Sequence, residues 1–239
     1  TWKSRGLGDV YKRQVFRLNF SHGTHLDHQK TIDMVREINA ELGTHIALLQ
    51  DLQGPKIRVN EVENDGVAIT EHQTLIITTD DILGNKERVS TSYKLLAQDV
   101  KVGDSIIIDD GNLEVKVTSV QGEDVYTEVI YGGILKSRKG INLPNTVISA
   151  PSLTEKDYTD LEYGLGQNLD WVALSFVRKA SDIIELQKMI KAKGSYTKII
   201  AKIEKPEALE NIDEIIAATD GIMVARGDLG VEIPGEQVP

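Results

Sequence analysis

The sequence predicts an α/β fold in which a parallel sheet of βα units, covered by helices, is interrupted by an inserted all-β domain. Three observations carry that expectation. Short apolar segments alternate with helix-periodic stretches near the start of the chain. From Pro55 to about Val147 the texture changes to short β-branched segments between turn clusters, with no long helix. After Pro151 the first texture returns.

Taken in order, Val15 to Phe20 alternates as a short strand, and Ser21-His22-Gly23-Thr24 reads as a turn. Ile32, Val35, Ile38 and Leu42 then fall at helical spacings, and Gly43 ends that helix. Ile46-Ala47-Leu48-Leu49 is too short for a helix between Gly43 and Gly54, and its unbroken apolar character suits a strand buried on both faces. In the insert, Val67 to Thr70, Thr74 to Thr78, Ser105 to Ile108, Leu113 to Val120 and Val125 to Ile130 are strand candidates. Asp109-Asp110-Gly111-Asn112 and Gln121-Gly122-Glu123-Asp124 have hairpin-turn compositions, so the block reads as a barrel or sandwich. Ser152-Leu153-Thr154-Glu155 resembles a capped start for a helix to about Gly166. The strand Trp171 to Ser175, a helix from about Ala180 to Ala192, the strand Lys198 to Ile203, a helix from Pro206 to Ala217 and the strand Gly221 to Ala225 follow.

The chain therefore divides into a leader over residues 1–14, a first α/β part over 15–54, the β insert over 55–147 and a second, truncated α/β part over 148–239. The leader has no hydrophobic periodicity and resembles translated adapter sequence, so it is expected not to be native. Both ends are abrupt, and an internal piece of a longer protein is expected. Composition does not choose between an open doubly wound sheet and a closed barrel. No G-x-G-x-x-G turn follows a strand, which favours the barrel.

The 239 residues are 40% hydrophobic and 27% charged, an ordinary composition for a globular protein and not that of a disordered or collagen-like chain. Acidic side chains outnumber basic ones 37 to 27 for a net charge of −10, so no basic field exists to drive nucleic-acid binding. There is no cysteine for a disulfide or thiolate zinc site. No apolar run reaches the roughly 20 residues of a membrane-spanning helix. Small-molecule chemistry in the cytoplasm is the expectation that remains.

In parallel α/β folds function gathers at the C-terminal strand ends. The polar residues there are Arg17, Asn19 and Ser21; Asp51, Lys56 and Arg58; Ser175 and Arg178; Lys202 and Glu204; and Arg226 and Asp228. That is the composition of a phosphate and metal site. Lys202 and Glu204 are two apart and project to one face. Asp228 follows the next strand, so in a parallel barrel its carboxylate stands beside that of Glu204. Two carboxylates with water and substrate oxygens suit octahedral Mg²⁺ or Mn²⁺, and Lys202 becomes a cation aimed at a transferring phosphoryl group. A structural ion pair plugging the barrel end is the alternative. The glycines of Arg226-Gly227-Asp228-Leu229-Gly230 allow close approach of an anion to backbone N–H groups, or simply a tight turn. His22, His25 and His28 lack the i, i+4 spacing of a helical zinc site and are expected at the surface or in a cap.

Four segments in this order and spacing resemble the pyruvate kinase family: Val15 to Gly23 (VFRLNFSHG), Asp51 to Arg58 (DLQGPKIR), Lys202-Ile203-Glu204, and Gly221 to Gly230 (GIMVARGDLG). Lys136 to Pro144 (KSRKGINLP) closes the insert as in that family. The resemblance implies a partial TIM (β/α)8 barrel interrupted after its third strand by an all-β lid domain. It implies that the first, seventh and eighth barrel strands, the C-terminal domain and a proton-relay threonine lie outside this sequence.

The same resemblance implies Mg²⁺-dependent transfer of a phosphoryl group from phosphoenolpyruvate to ADP, giving pyruvate and ATP in glycolysis. By motif, Glu204 and Asp228 are similar to the divalent-metal ligands and Lys202 to the lysine that neutralises the phosphoryl group. Arg17 and Arg58 match phosphate and nucleotide contacts, and Gly227 and Asp228 the backbone that holds the substrate carboxylate. Many members need K⁺ at positions matching Asn19, Ser21, Asp51 and Leu52, with glutamate where this chain has Lys56. With Lys56, Leu52 and Gln53 the chain resembles the K⁺-independent branch, in which the lysine ammonium takes the role of the ion. The implied parent is a cytoplasmic homotetramer, with no nucleic-acid or membrane partner, and the isolated piece is expected to be inactive. A metal-dependent pyruvate-enolate lyase or aldolase barrel, and a non-catalytic binding protein on a degenerate barrel, are the alternative readings.

Overall fold

The structure, a computed structural model, describes residues 14–144 and 146–238; apart from Gln14, the expected leader lies outside them. In chain order the elements are β1 (Val15–Asn19), α1 (His25–Leu42), β2 (Ala47–Asp51), β3 (Gly66–Ile69), β4 (Thr74–Thr78), β5 (Arg88–Ser90), α2 (Leu96–Asp99), β6 (Ser105–Ile108), β7 (Leu113–Gln121), β8 (Asp124–Tyr131), β9 (Gly133–Lys136) and β10 (Ile141–Asn142). There follow α3 (Glu155–Gly166), β11 (Trp171–Leu174), α4 (Ala180–Ala192), β12 (Lys198–Ile203), α5 (Pro206–Glu210), α6 (Ile212–Ala218), β13 (Gly221–Val224) and α7 (Arg226–Glu232). The described residues form two compact units: 14–54, 152–203 and 207–223 in one, and 55–144, 146–151, 204–206 and 224–238 in the other.

In the first unit five strands form one sheet in the order β1, β2, β11, β12, β13. The pairs β1–β2, β2–β11 and β11–β12 are parallel. A doubly wound sheet reverses its strand order at a switch point. Here spatial order follows chain order throughout, which is the topology of a (β/α) barrel, present as five of its strands. Helices between the strands cover the sheet, so its central strands are buried on both faces: Leu48 to Asp51 and Val172 to Leu174 are all enclosed.

Local chemistry sets the element ends. Thr24 and Thr154 cap α1 and α3 in reciprocal boxes with Asp27 and Asp157, each satisfying otherwise orphaned backbone donors. Gly43, left-handed at φ 61°, ends α1. Strand entries are fixed in a similar way by the acids that precede two of the strands. Asp170 accepts from Leu48 N at 2.7 Å and Asp220 from Ile199 N at 2.8 Å, tying each strand entry to its neighbour.

Three details differ from the sequence expectations. The buried stripe of α1 is His28, Ile32 and Val35, while Ile38 and Leu42 are exposed. The last inward position belongs instead to Asn39, whose amide bonds both N and O of Ile46 and anchors the entry to β2. His28 is not a surface residue: it stacks on Phe20 with ring centroids 4.0 Å apart, and burial pushes its pKa below 6.5. The helix expected from Pro206 to Ala217 is broken at Asn211, whose side chain donates to Arg178 O.

In the second unit β10, β6, β7, β8, β4 and β5 form a six-stranded sheet and β3 pairs with β9. Leu75, Ile77, Val89, Ile106, Ile108, Val115, Val125 and Val129 fill its core. The two-residue turn at Gly122-Glu123 joins β7 to β8, with Gly122 supplying the left-handed φ of 60°. The short strands β5, β9 and β10 carry too few residues to show a period.

Candidate active site

The carboxyl ends of the parallel strands bring several of the singled-out residues of the first unit together. The register sets Asn19 opposite Asp51, Asp51 opposite Ala173, and Leu174 opposite Ala201. Strand alternation then puts Arg17, Asn19, Asp51, Ser175 and Lys202 on one face. Asp51, 1% exposed, receives Arg17 Nε at 2.6 Å and Nη2 at 2.5 Å on Oδ2. Its Oδ1 lies 3.2 Å from Lys202 Nζ, within ion-pair range though outside good hydrogen-bond geometry. Lys202 Nζ donates to Ser175 Oγ at 2.8 Å, and Ser175 donates to Leu52 O at 2.6 Å. The result is a buried ammonium and a half-exposed guanidinium fixed by one enclosed carboxylate. Asn19 Oδ1 accepts from Ser21 N at 3.1 Å, and Leu52 is fully buried.

Gly54 follows this cluster at φ 68°, and its N–H donates to Asp157 Oδ1. A Cβ there would stand 2.9 Å from the Phe176 ring and 3.0 Å from Ser175 Cβ, so glycine is required both by backbone hand and by space.

In the second unit Glu204, the first residue after β12, is 1% exposed. Asp228 sits in the first turn of α7 after Gly227 and is about one-third exposed. Its Oδ1 faces Lys56 Nζ at 3.3 Å, so the charge partner of Lys56 is Asp228, while that of Asp51 is the Arg17 and Lys202 pair. Arg58 donates to Arg138 O at 3.0 Å and, with Asn60, Glu61 and Arg138, lines a cleft of about 560 Å³.

No group of three or more His, Asp or Glu side chains among the described residues could hold a metal. His25 pairs with Asp160 at 2.7 Å, and His28 Nε2 faces His22 O. A divalent ion at Glu204 and Asp228 would therefore draw two ligands from protein and the rest from water or substrate oxygens, as Mg²⁺ commonly does.

Sequence reasoning missed a buried ion pair in the second unit. Lys205 Nζ donates to Glu232 Oε1 at 2.6 Å, and Asn142 Nδ2 donates to the same oxygen at 2.8 Å. Lys205 adjoins Glu204, and Glu232 lies one helical turn after Asp228; those spacings were the available signal. Ser175, singled out only as a strand-end polar residue, also proves to be the hydrogen-bond partner of Lys202.

Comparison with known proteins places this geometry in context. The family described as "Pyruvate kinase, barrel domain" matches residues 11–239. The chain is 45% identical over 228 residues to the pyruvate kinase of Geobacillus stearothermophilus, covering 94% of this chain and 39% of that protein. It is 47% identical over 226 residues to the pyruvate kinase of Corynebacterium glutamicum, covering 94% of this chain and 47% of that one. Its fold matches a crystal structure of a pyruvate kinase from Cryptosporidium parvum with a TM-score of 0.88 at 38% identity, over 94% of this chain and 48% of that one. The chain thus spans less than half the length of these relatives.

Proposed function

The chain belongs to the pyruvate kinase family, a family of phosphotransferases, and on that premise we propose that it carries the phosphoenolpyruvate and ADP machinery of a cytoplasmic, glycolytic enzyme making pyruvate and ATP. The observation that carries this reading is Lys202: its ammonium is buried, yet oriented by Ser175 and Asp51 at the strand ends. A cation prefixed in a water-poor site stabilises charge developing on a transferring group without reorganising.

Further residues of each unit support complementary roles. Arg17, pinned through one face of its guanidinium and half exposed, binds phosphate oxygens. Arg58, which lines a cleft, takes nucleotide phosphate. Backbone N–H groups of Gly227 and Asp228 receive the substrate carboxylate. Glu204 and Asp228 fit Mg²⁺ or Mn²⁺ as an oxygen donor set, and Asp228 already faces a cation in the Lys56 ammonium. Bound there, the ion supplies charge stabilisation of phosphoryl oxygens.

K⁺ independence belongs to the same reading. Within its own unit the charge of Asp51, in the group Asn19, Ser21, Asp51 and Leu52, is met by Arg17 and Lys202. Lys56, where K⁺-dependent members carry glutamate, is a tethered cation facing Asp228; both support a chain that needs no K⁺. The intact enzyme is a homotetramer in this proposal, and among the described residues no helix is long and apolar enough to cross a membrane.

Product analysis tests the reaction. The full-length chain with phosphoenolpyruvate, ADP and Mg²⁺ is expected to form pyruvate and ATP in equal amounts. Pyruvate with inorganic phosphate and no ATP would mean hydrolysis instead of transfer to ADP, and no turnover would point to a lyase of other substrates or to a binding protein.

A further inference from the structure

We propose that Lys205 and Glu232 form a positioning pair that fixes the spacing between Glu204 and the Asp228 helix, and so preorganises the divalent-metal site. The proposal rests on the reading of Glu204 and Asp228 as metal ligands. The two residues of the pair are the chain neighbours of those ligands: Lys205 follows Glu204 directly, and Glu232 is at i+4 from Asp228 on α7.

The pair is nearly sealed from solvent, with side chains 7% and 0% exposed. Its 2.6 Å contact therefore joins the segment that carries Glu204 to the last turn of α7 across a single ion pair. Asn142, in β10, donates to the same carboxylate oxygen and holds it from a third chain segment. Three segments converge on Glu232 Oε1.

As a source of stability the arrangement is poor. Glu232 Oε2 is buried with no hydrogen-bond partner among the described residues, which leaves part of its desolvation cost uncompensated. The carboxylate also sits at the C-terminal end of a helix, where the exposed carbonyls disfavour an anion. Buried pairs of this kind often contribute less than apolar side chains of the same volume. What they do supply is one arrangement: any slide of α7 relative to Glu204 would separate two enclosed opposite charges. Metal affinity depends on such supporting contacts, whose loss commonly costs about 10- to 100-fold. Lys205 and Glu232 act through Glu204 and Asp228, and are positioning residues.

The test uses the full-length chain, Mn²⁺ binding followed by electron paramagnetic resonance, and urea unfolding. In the double variant Lys205→Met/Glu232→Leu the unfolding midpoint is expected to stay at or above that of the wild type, while Mn²⁺ affinity falls by about tenfold or more. A double variant that folds and binds Mn²⁺ as tightly as the wild type overturns the proposal. Glu232→Gln keeps the shape and removes the charge; it is expected to weaken Mn²⁺ several-fold even if the double variant does not fold, and unchanged affinity in it also overturns the proposal. Glu204→Gln is the separate control: if that variant retains wild-type Mn²⁺ affinity, the ligand reading itself fails, whatever the pair does.

Discussion

Asp51 meets Arg17 through a single carboxylate oxygen, Oδ2, which takes Nε at 2.6 Å and Nη2 at 2.5 Å and leaves Oδ1 turned to Lys202. One enclosed acid thus sets the position of two cations. Because Asp51 is 1% exposed, both interactions act where water screens little.

Replacing that acid by its amide separates charge from shape. Asp51→Asn removes the enclosed charge that faces both Arg17 and Lys202, and is expected to cost on the order of 3 kcal/mol of stability. It should also lower kcat/KM for phosphoenolpyruvate by about 100-fold, because the two cations lose their fixed positions. Urea unfolding and steady-state kinetics read the two effects, and an unchanged kcat/KM would deny Asp51 the role.

At Gly54 the constraint is steric. Gly54→Ala places a methyl group 2.9 Å from the Phe176 ring at a backbone φ of 68°. Strain and displacement together are expected to destabilise the protein by about 2 kcal/mol. Thermal unfolding measures this, and a midpoint equal to that of the wild type would contradict it.

His28 links stability to pH. Burial against Phe20 pushes its folded-state pKa below 6.5, opposed in part by its hydrogen bond to His22 O. Below pH 6.5 the unfolded chain takes up the proton before the folded one, so stability falls as pH drops from about 6.5 through the lowered folded value. The urea midpoint is therefore expected to decline from pH 7 to pH 5 more steeply in the wild type than in His28→Phe. Equal declines would remove His28 from the account.

Lys56 tests the monovalent-cation proposal. The wild-type full-length enzyme is expected to show the same rate with and without K⁺. Lys56→Glu removes the tethered charge and is expected to make the rate rise several-fold on adding K⁺. Activation of the wild type by K⁺ would refute the assignment.

Periodicity made most of the fold legible. Strands buried on both faces are largely apolar, which is why the runs Ile46 to Leu49 and Ile199 to Ala201 could be read directly. Barrel against doubly wound sheet was not legible from periodicity, because strand order is a property of the whole sheet; the order β1, β2, β11, β12, β13 settles it. The break at Asn211 and the burial of His28 depend on partners outside their own helices, Arg178 for one and Phe20 for the other. Lys202, Glu204 and Asp228 stood out because charge interrupts or directly follows apolar strands. Lys205 and Glu232, 27 positions apart, have no shared period; their places beside Glu204 and Asp228 were the available signal, and the pairing itself emerges only with the fold.

The most direct test of the central claim is phosphorus NMR of the full-length enzyme with phosphoenolpyruvate, ADP and Mg²⁺, comparing wild type with Lys202→Met. The wild type is expected to convert the phosphoenolpyruvate resonance into the γ-phosphate resonance of ATP, and the variant to bind both substrates while slowing that conversion by about a thousandfold. Conversion at the wild-type rate by Lys202→Met would contradict the account.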